Sequence, residues 1–242
     1  MVRARTPIGR ERQQAGPSGE DVRAAKQRIY EQFARIGKAL ASPVRLELLD
    51  LLVQGERSVE ALATANQLSL ANASQHLQVL ASARLVESRR DGHHVLYRLA
   101  DGSVETLWQT LRSTAEQRLA ELESVARDYL INRDQFEPID RAELIRRMDD
   151  GTVTLIDVRP AEEFAQGHLP GAISVPLEEV EAWAKAAPKR RQVVAYYRGP
   201  YCVWALQAIE LLAAHGIRAE RLADGVGEWR VAGLPIETRP AQ

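Results

Sequence analysis

The chain has 242 residues, 27% of them charged and 45% hydrophobic, with 32 Lys and Arg against 33 Asp and Glu. That length suits two domains, and the near-zero charge excludes a uniformly basic nucleic-acid binder, so any DNA-facing charge has to be local. A single cysteine excludes an internal disulfide framework and a cysteine-rich zinc site.

The apolar runs are too short for a membrane span, and no apolar segment follows the Arg-rich start. No signal peptide is therefore expected, and the location read from the sequence is cytoplasmic. Residues 1–19 mix Arg, Gln, Gly and Pro with almost nothing apolar, the composition of a disordered tail. Val22, Ile29, Phe33, Ile36 and Leu40 then recur at helical spacing. Ser42-Pro43 starts a second helix, with serine as N-cap and proline in the first turn, that stops near Gly55. Ser58 caps a short helix. Ser69 caps another, with Leu70, Ala73, Leu77 and Leu80 on one face. VESRRDGHHVLYRL reads as a hairpin turned at Asp91-Gly92, a pair favoured in type I′ turns. One long helix is expected from about Ser103 to Leu130.

Residues 131–137 break the helical pattern and read as a linker. Beyond them TLIDVR, AISVPL, QVVAYY and RAERLAD alternate with the helical stretches RAELIRRM, LEEVEAWAKA and VWALQAIELLAAHG. Such alternation argues an α/β domain with a mostly parallel sheet. The expected organisation is a tail over 1–19, a mainly α winged helix-turn-helix domain over 20–130, the linker, and an α/β domain over 138–240.

The first half carries the pattern of a DNA reader. With Leu70, Ala73, Leu77 and Leu80 inward, the opposite face of their helix offers Asn72, Gln75, Val79 and Ser82, with Ser74 and Gln78 at its margins and Ser69 at its start. Asn and Gln pair bidentately with adenine edges in the major groove. Arg89, Arg90, His93 and His94 flank the hairpin turn and suit phosphates or a minor groove. Two adjacent histidines on a strand point to opposite faces and do not complete a metal site. LASPVRLELLDLL (40–52), SVEALATANQLSLANASQHLQVLASARLV (58–86) and RRDGHHVLYRL (89–99) together resemble the ArsR-type winged-helix repressors. The resemblance implies a homodimer formed through the first and last helices, an inverted-repeat operator in double-stranded DNA, and repression. Where metal-sensing members carry paired cysteines this chain has Ser58 and Glu60, poor ligands for soft metals, so no metal is expected.

The second half resembles a rhodanese domain through LIDVRPAEEFAQGHLPGAISVPL (155–177), the loop Tyr197, Arg198, Gly199, Pro200, Tyr201 and Cys202, and DGVGEWRVAGLPIE (224–237). A loop at a helix N-terminus points backbone N–H groups at an anion or persulfide. The resemblance implies a cysteine nucleophile at the first loop position. This chain has Tyr197 there, and a phenol with an unperturbed pKa of about 10 neither accepts sulfur nor leaves. Catalysis is therefore not expected. Cys202 is either a small packing residue, a redox or persulfide-sensing thiol, or a displaced nucleophile. Asp157 and Arg159 at a strand end look like a buried ion pair bracing the loops, and His168 like a structural turn residue.

The function expected is a cytoplasmic, homodimeric transcriptional regulator needing no cofactor. Its second domain would report a small sulfur species, an oxyanion or thiol-redox state to the first through the long last helix. Two alternatives stand beside it: a sulfurtransferase whose helical half only dimerises it, and an inactive rhodanese domain that docks another protein.

Overall fold

The helical stripe after the tail forms α1 (Gly19–Leu40) in the computed structural model, which describes residues 19–126, 138–187, 192–199 and 203–238. Residues 1–18, the linker 131–137, and Pro200, Tyr201 and Cys202 lie outside the described residues. Only the last turns of α1 join a core, through Ile36, Ala39 and Leu40. Val22, Ile29, Tyr30 and Phe33 stand 54–64% exposed, a stripe left uncovered among the described residues.

Next come α2 (Pro43–Val53), a short β1 (Arg57–Ser58), α3 (Val59–Ala65) and α4 (Leu70–Ser82). Their starts follow the sequence chemistry. Ser58 Oγ accepts from the Ala61 N–H at 3.2 Å and Ser69 Oγ from the Asn72 N–H at 3.3 Å, caps worth about 1 kcal/mol each. Ser42 occupies the N-cap of α2 with Pro43 behind it, but its side chain makes no capping bond. Leu48, Leu49, Leu62, Ala73, Leu77 and Leu80 are fully buried and form the centre of the first core. Leu70 departs from expectation. At the first helical position it lies beyond the packed stripe and is 51% exposed.

The hairpin is β2 (Val86–Asp91) and β3 (His94–Leu99), and β1 adds to β3, pairing Arg57 with Tyr97. Its register is one residue later than expected. Asp91 pairs with His94, so the loop is Gly92-His93. Positive φ falls on Gly92 alone (+59°), which suits a type II′ turn with glycine first instead of the type I′ pair. The expected single helix is also two: α5 (Gly102–Arg118) and α6 (Ala120–Ala126). Leu119 between them is extended (φ −109°, ψ 95°), and no glycine or proline accounts for the break.

The second half is built on a four-stranded sheet in the order β5 (Ile173–Ser174), β4 (Val153–Asp157), β6 (Gln192–Tyr196), β7 (Ala219–Arg221), with every strand pair parallel. Alternate residues feed opposite faces, as the period of two requires. Ile156, Val193 and Ala195 pack with α9 (Val180–Ala186) and α10 (Val203–Ala214), whereas Leu155, Val194 and Tyr196 pack with α7 (Arg141–Asp149) and α11 (Val226–Val231). Helix α8 (Ala161–Gln166) follows β4. The loops after β4 and β6 therefore share the carboxyl edge of the sheet, the edge at which open α/β folds place ligands.

Candidate functional site

The exposed face of α4 carries Asn72, Gln75, Gln78 and Val79, with Ser74 half-buried at its margin and Ser69 exposed at its start. Ser82 turns back to donate to the Val79 carbonyl (2.8 Å). On the wing, Arg89, Arg90, His93 and His94 are exposed. Arg89 is engaged by Glu56 (2.5 Å) and lies 3.6 Å from Asp91, whereas Arg90 has no acidic partner among the described residues. Amides on one helix face beside a cationic hairpin can read base edges and touch phosphates at once.

At the carboxyl edge of the parallel sheet, Asp157 and Arg159 form an ion pair with both side chains fully buried (2.5 Å). Arg159 also donates to the Gly167 carbonyl (2.7 Å), tying the loop after β4 to the turn that holds His168. His168 stacks on Phe164 (3.7 Å between ring centres), with Nδ1 2.8 Å from the Phe164 carbonyl, a packed residue in the turn. Tyr196, at the end of β6, accepts from the Leu169 N–H (3.1 Å), and burial pushes its phenol well above the ordinary range.

Tyr197 is 7% exposed and belongs to the core beneath α10. The Arg198 guanidinium lies 4.8 Å from its ring centre and turns away to Glu163 (2.6 Å). A core-packed phenol thus stands at the expected nucleophile position.

The remainder of the site was not visible in the sequence. The loop after β6 is set against the helix-turn-helix half. Gln54, which caps the C-terminus of α2 and is 2% exposed, accepts from Arg159 Nη1 (3.0 Å) and donates to the Arg198 carbonyl (3.2 Å). Glu163 on α8 is paired with two arginines, Arg198 and Arg57 of β1. Burial alone would raise the Glu163 pKa, but Arg198, Arg57 and Arg159 hold it below the ordinary value. A second set of contacts joins α5 to α11. Arg112 and Gln109 meet Glu228, and Arg230 reaches Glu105 (2.9 Å) and the Val53 carbonyl (3.2 Å). Gly227 permits this approach, since a Cβ there would lie 3.0 Å from Gln109 Nε2 of α5 and 2.6 Å from Val53 Cγ1 of α2. Partners such as Gln54 and Arg159 lie 105 positions apart, and neither periodicity nor a motif links them. The only sequence signal is the polar run Gln54-Gly55-Glu56-Arg57, which interrupts an otherwise apolar helical region.

Residues 140–232 match the rhodanese-like domain family and residues 40–89 a helix-turn-helix domain family. Over 212 residues the chain is 46% identical to the HTH-type transcriptional regulator Rv0324 of Mycobacterium tuberculosis, an alignment covering 88% of this chain and 93% of that protein. It is 33% identical over 99 residues to a sulfurtransferase of Allochromatium vinosum, covering 40% of this chain and 92% of the other. Among solved structures, the homodimeric winged helix-turn-helix DNA-binding domain of Mb0332 from Mycobacterium bovis (fragment 1–100) is 45% identical. It covers 45% of this chain and 95% of that one, with a TM-score of 0.40. The chain belongs to the ArsR-type winged helix-turn-helix transcriptional regulators, in a form that carries a C-terminal rhodanese-like domain.

Proposed function

We propose that the protein is a cytoplasmic, homodimeric repressor that reads an inverted-repeat operator. In this reading the rhodanese-like domain answers to a sulfur species, an oxyanion or thiol-redox state. Its two domains run over 20–130 and 138–240. Ser69, Asn72, Ser74, Gln75 and Gln78 read bases, and Arg89, Arg90 and His93 hold the backbone. Asp157 and Arg159 brace the loops, and Cys202 is the candidate thiol.

The observation that carries the sensing role is the docking of the loop after β6 on α2 through Gln54. A ligand that moves Arg198 there pulls on the helix against which α4 packs. The apolar stripe of α1 supports dimerisation, because four large apolar side chains left in water favour a partner. Tyr197 leaves regulation, not sulfur transfer, as the use of the loop.

Selection from random duplexes is expected to return an inverted repeat with half-site centres about 34–36 Å apart, one helical turn. Small persulfides and oxyanions are then titrated onto the complex. The expected result is release from DNA in the wild type and none in Gln54→Ala, which keeps its DNA affinity. Selection without a palindrome refutes the DNA reading, and equal release from Gln54→Ala refutes the coupling.

A further inference from the structure

A cavity of about 810 Å³ opens between the two halves, walled by α2 and α5, by the ends of α1, α3 and α6, and by Arg198-Gly199 of the loop. Its lining is largely apolar, with Leu40, Leu46, Leu51, Leu111, Ala115 and Leu122 prominent. Among the described residues four charged side chains reach it: Glu47, Asp50, Arg112 and Arg198. Both arginines are already neutralised, Arg112 by Glu228 and Arg198 by Glu163.

The carboxylates are not. Among the described residues no cation lies within ion-pair distance of Asp50, whose only hydrogen bond comes from Trp108 Nε1 (3.1 Å). Asp50 lines the cavity wall. Arg112 and Arg198 act on Asp50 from beyond ion-pair distance and are each held by another carboxylate. A carboxylate in an apolar wall with no ion-pair partner of its own favours a cationic guest, because attraction strengthens where water is scarce. Trp108 lines the same wall and offers an aromatic ring, the side chain that best accepts a cation on its face. The volume is that of a site for a drug-sized molecule, within the usual range of about 300–1,000 Å³.

We propose that this cavity binds an amphiphilic organic cation, with its apolar body against α2 and α5 and its positive group against Asp50. The site is separate from the α4 face and does not depend on the sulfur-sensing reading.

The titration of Asp50 supports this. Burial pushes its pKa up to about 6, against the downward pull of Trp108, Arg112 and Arg198 and with a small upward push from Glu228. Among the described side chains Glu47 is the other carboxylate on the wall, and α1, α3 and α6 contribute no charge to it. A bound cation favours the ionised form. Affinity for a cation that does not itself titrate is therefore full above this range and lost as pH falls through about 6.

The test is calorimetric titration of the full chain with tetraphenylphosphonium and with tetraphenylborate, ions of the same shape and opposite charge. Tetraphenylphosphonium is expected to bind once per chain, at least about tenfold more tightly than tetraphenylborate. Asp50→Asn keeps an acceptor for Trp108 and is expected to weaken the cation by about tenfold and abolish its pH dependence. Leu111→Trp, at a partly exposed position on the cavity wall, is expected to block binding by filling the space, and it serves if Asp50→Asn fails to fold. Equal affinity for the two ions, or an unchanged Asp50→Asn, overturns the proposal. So does cation binding that appears only on dilution to monomer, because a second copy of the chain would then be the occupant.

Discussion

Replacing Glu163 by alanine removes the carboxylate that pairs with both Arg57 and Arg198. The Glu163 side chain is 3% exposed, and those of Arg57 and Arg198 are 14% and 15% exposed. Among the described residues Arg57 Nε has no hydrogen-bond acceptor, so that guanidinium leans on Glu163. Breaking a buried pair by deleting one partner costs about 3–5 kcal/mol. Residual solvent around the two arginines places the expectation at the low end, about 3 kcal/mol. For a chain of this size each kcal/mol shifts the melting temperature by about 2–4 °C, so a fall of about 6–12 °C is expected. Glu163→Gln keeps an acceptor for Arg198 and is expected to lose roughly half as much.

Scanning calorimetry of both variants checks this, with the exposed neighbour Glu162→Gln as a control expected to melt like wild type. The pH dependence has a definite sign. The folded Glu163 pKa lies below its unfolded value, so its contribution is present above the ordinary carboxylate range and is lost as pH falls through the depressed pKa. The acid limb of the stability profile should therefore flatten in Glu163→Gln. A loss below about 1 kcal/mol in Glu163→Ala, the value of a surface pair, would refute the view that this carboxylate holds the two halves together.

On the DNA side, Gln75→Ala should relax sequence preference by about 1–3 kcal/mol at one base pair, measured by repeating the selection on the variant. Arg89→Ala with Arg90→Ala should weaken binding to all sequences and reduce its salt dependence; more of the loss belongs to Arg90, because Arg89 is shared with Glu56. Tyr197→Cys should take the sulfane sulfur of thiosulfate as a persulfide, releasing sulfite, and so gain the mass of one sulfur while Arg198 stays on Glu163; a folded variant that gains none would show the loop to be incompetent for sulfur transfer. Gly227→Ala brings a methyl within 2.6 Å of Val53 Cγ1, so a stability loss of about 1–3 kcal/mol is expected by calorimetry, and wild-type melting would contradict the close approach of α11 to α2.

Most elements were legible because local chemistry determines them. Ser58 and Ser69 announce helix starts with bonds their own side chains make, and the alternation in QVVAYY directs successive residues to two cores. What the sequence misplaced was decided by geometry that composition does not carry. Leu70 looked inward by spacing but precedes the packed turns of α4, and the hairpin took the register that puts Gly92 alone at positive φ. The break at Leu119 has no residue that signals it. Of the candidate site, the Asp157–Arg159 pair was readable because its members sit two residues apart on a strand end. Gln54, Arg57 and Glu163 were not, because each acts through a partner from the other half of the chain.

Gln54 has a thermodynamic consequence that runs in both directions. One amide bonds to the buried Arg159 and to the backbone of Arg198 while it ends α2, so the end of that helix and the loop after β6 are fastened to each other directly. Coupling of this kind obeys reciprocity: if a guest at the sulfur loop weakens the hold on an operator by some factor, the operator weakens the hold on that guest by the same factor, typically about 5–150-fold. A chain seated on its operator would then be the less sensitive detector, and the free pool would respond first. The threshold at which a gene is released would move with the number of operators in the cell, not only with the concentration of the signal.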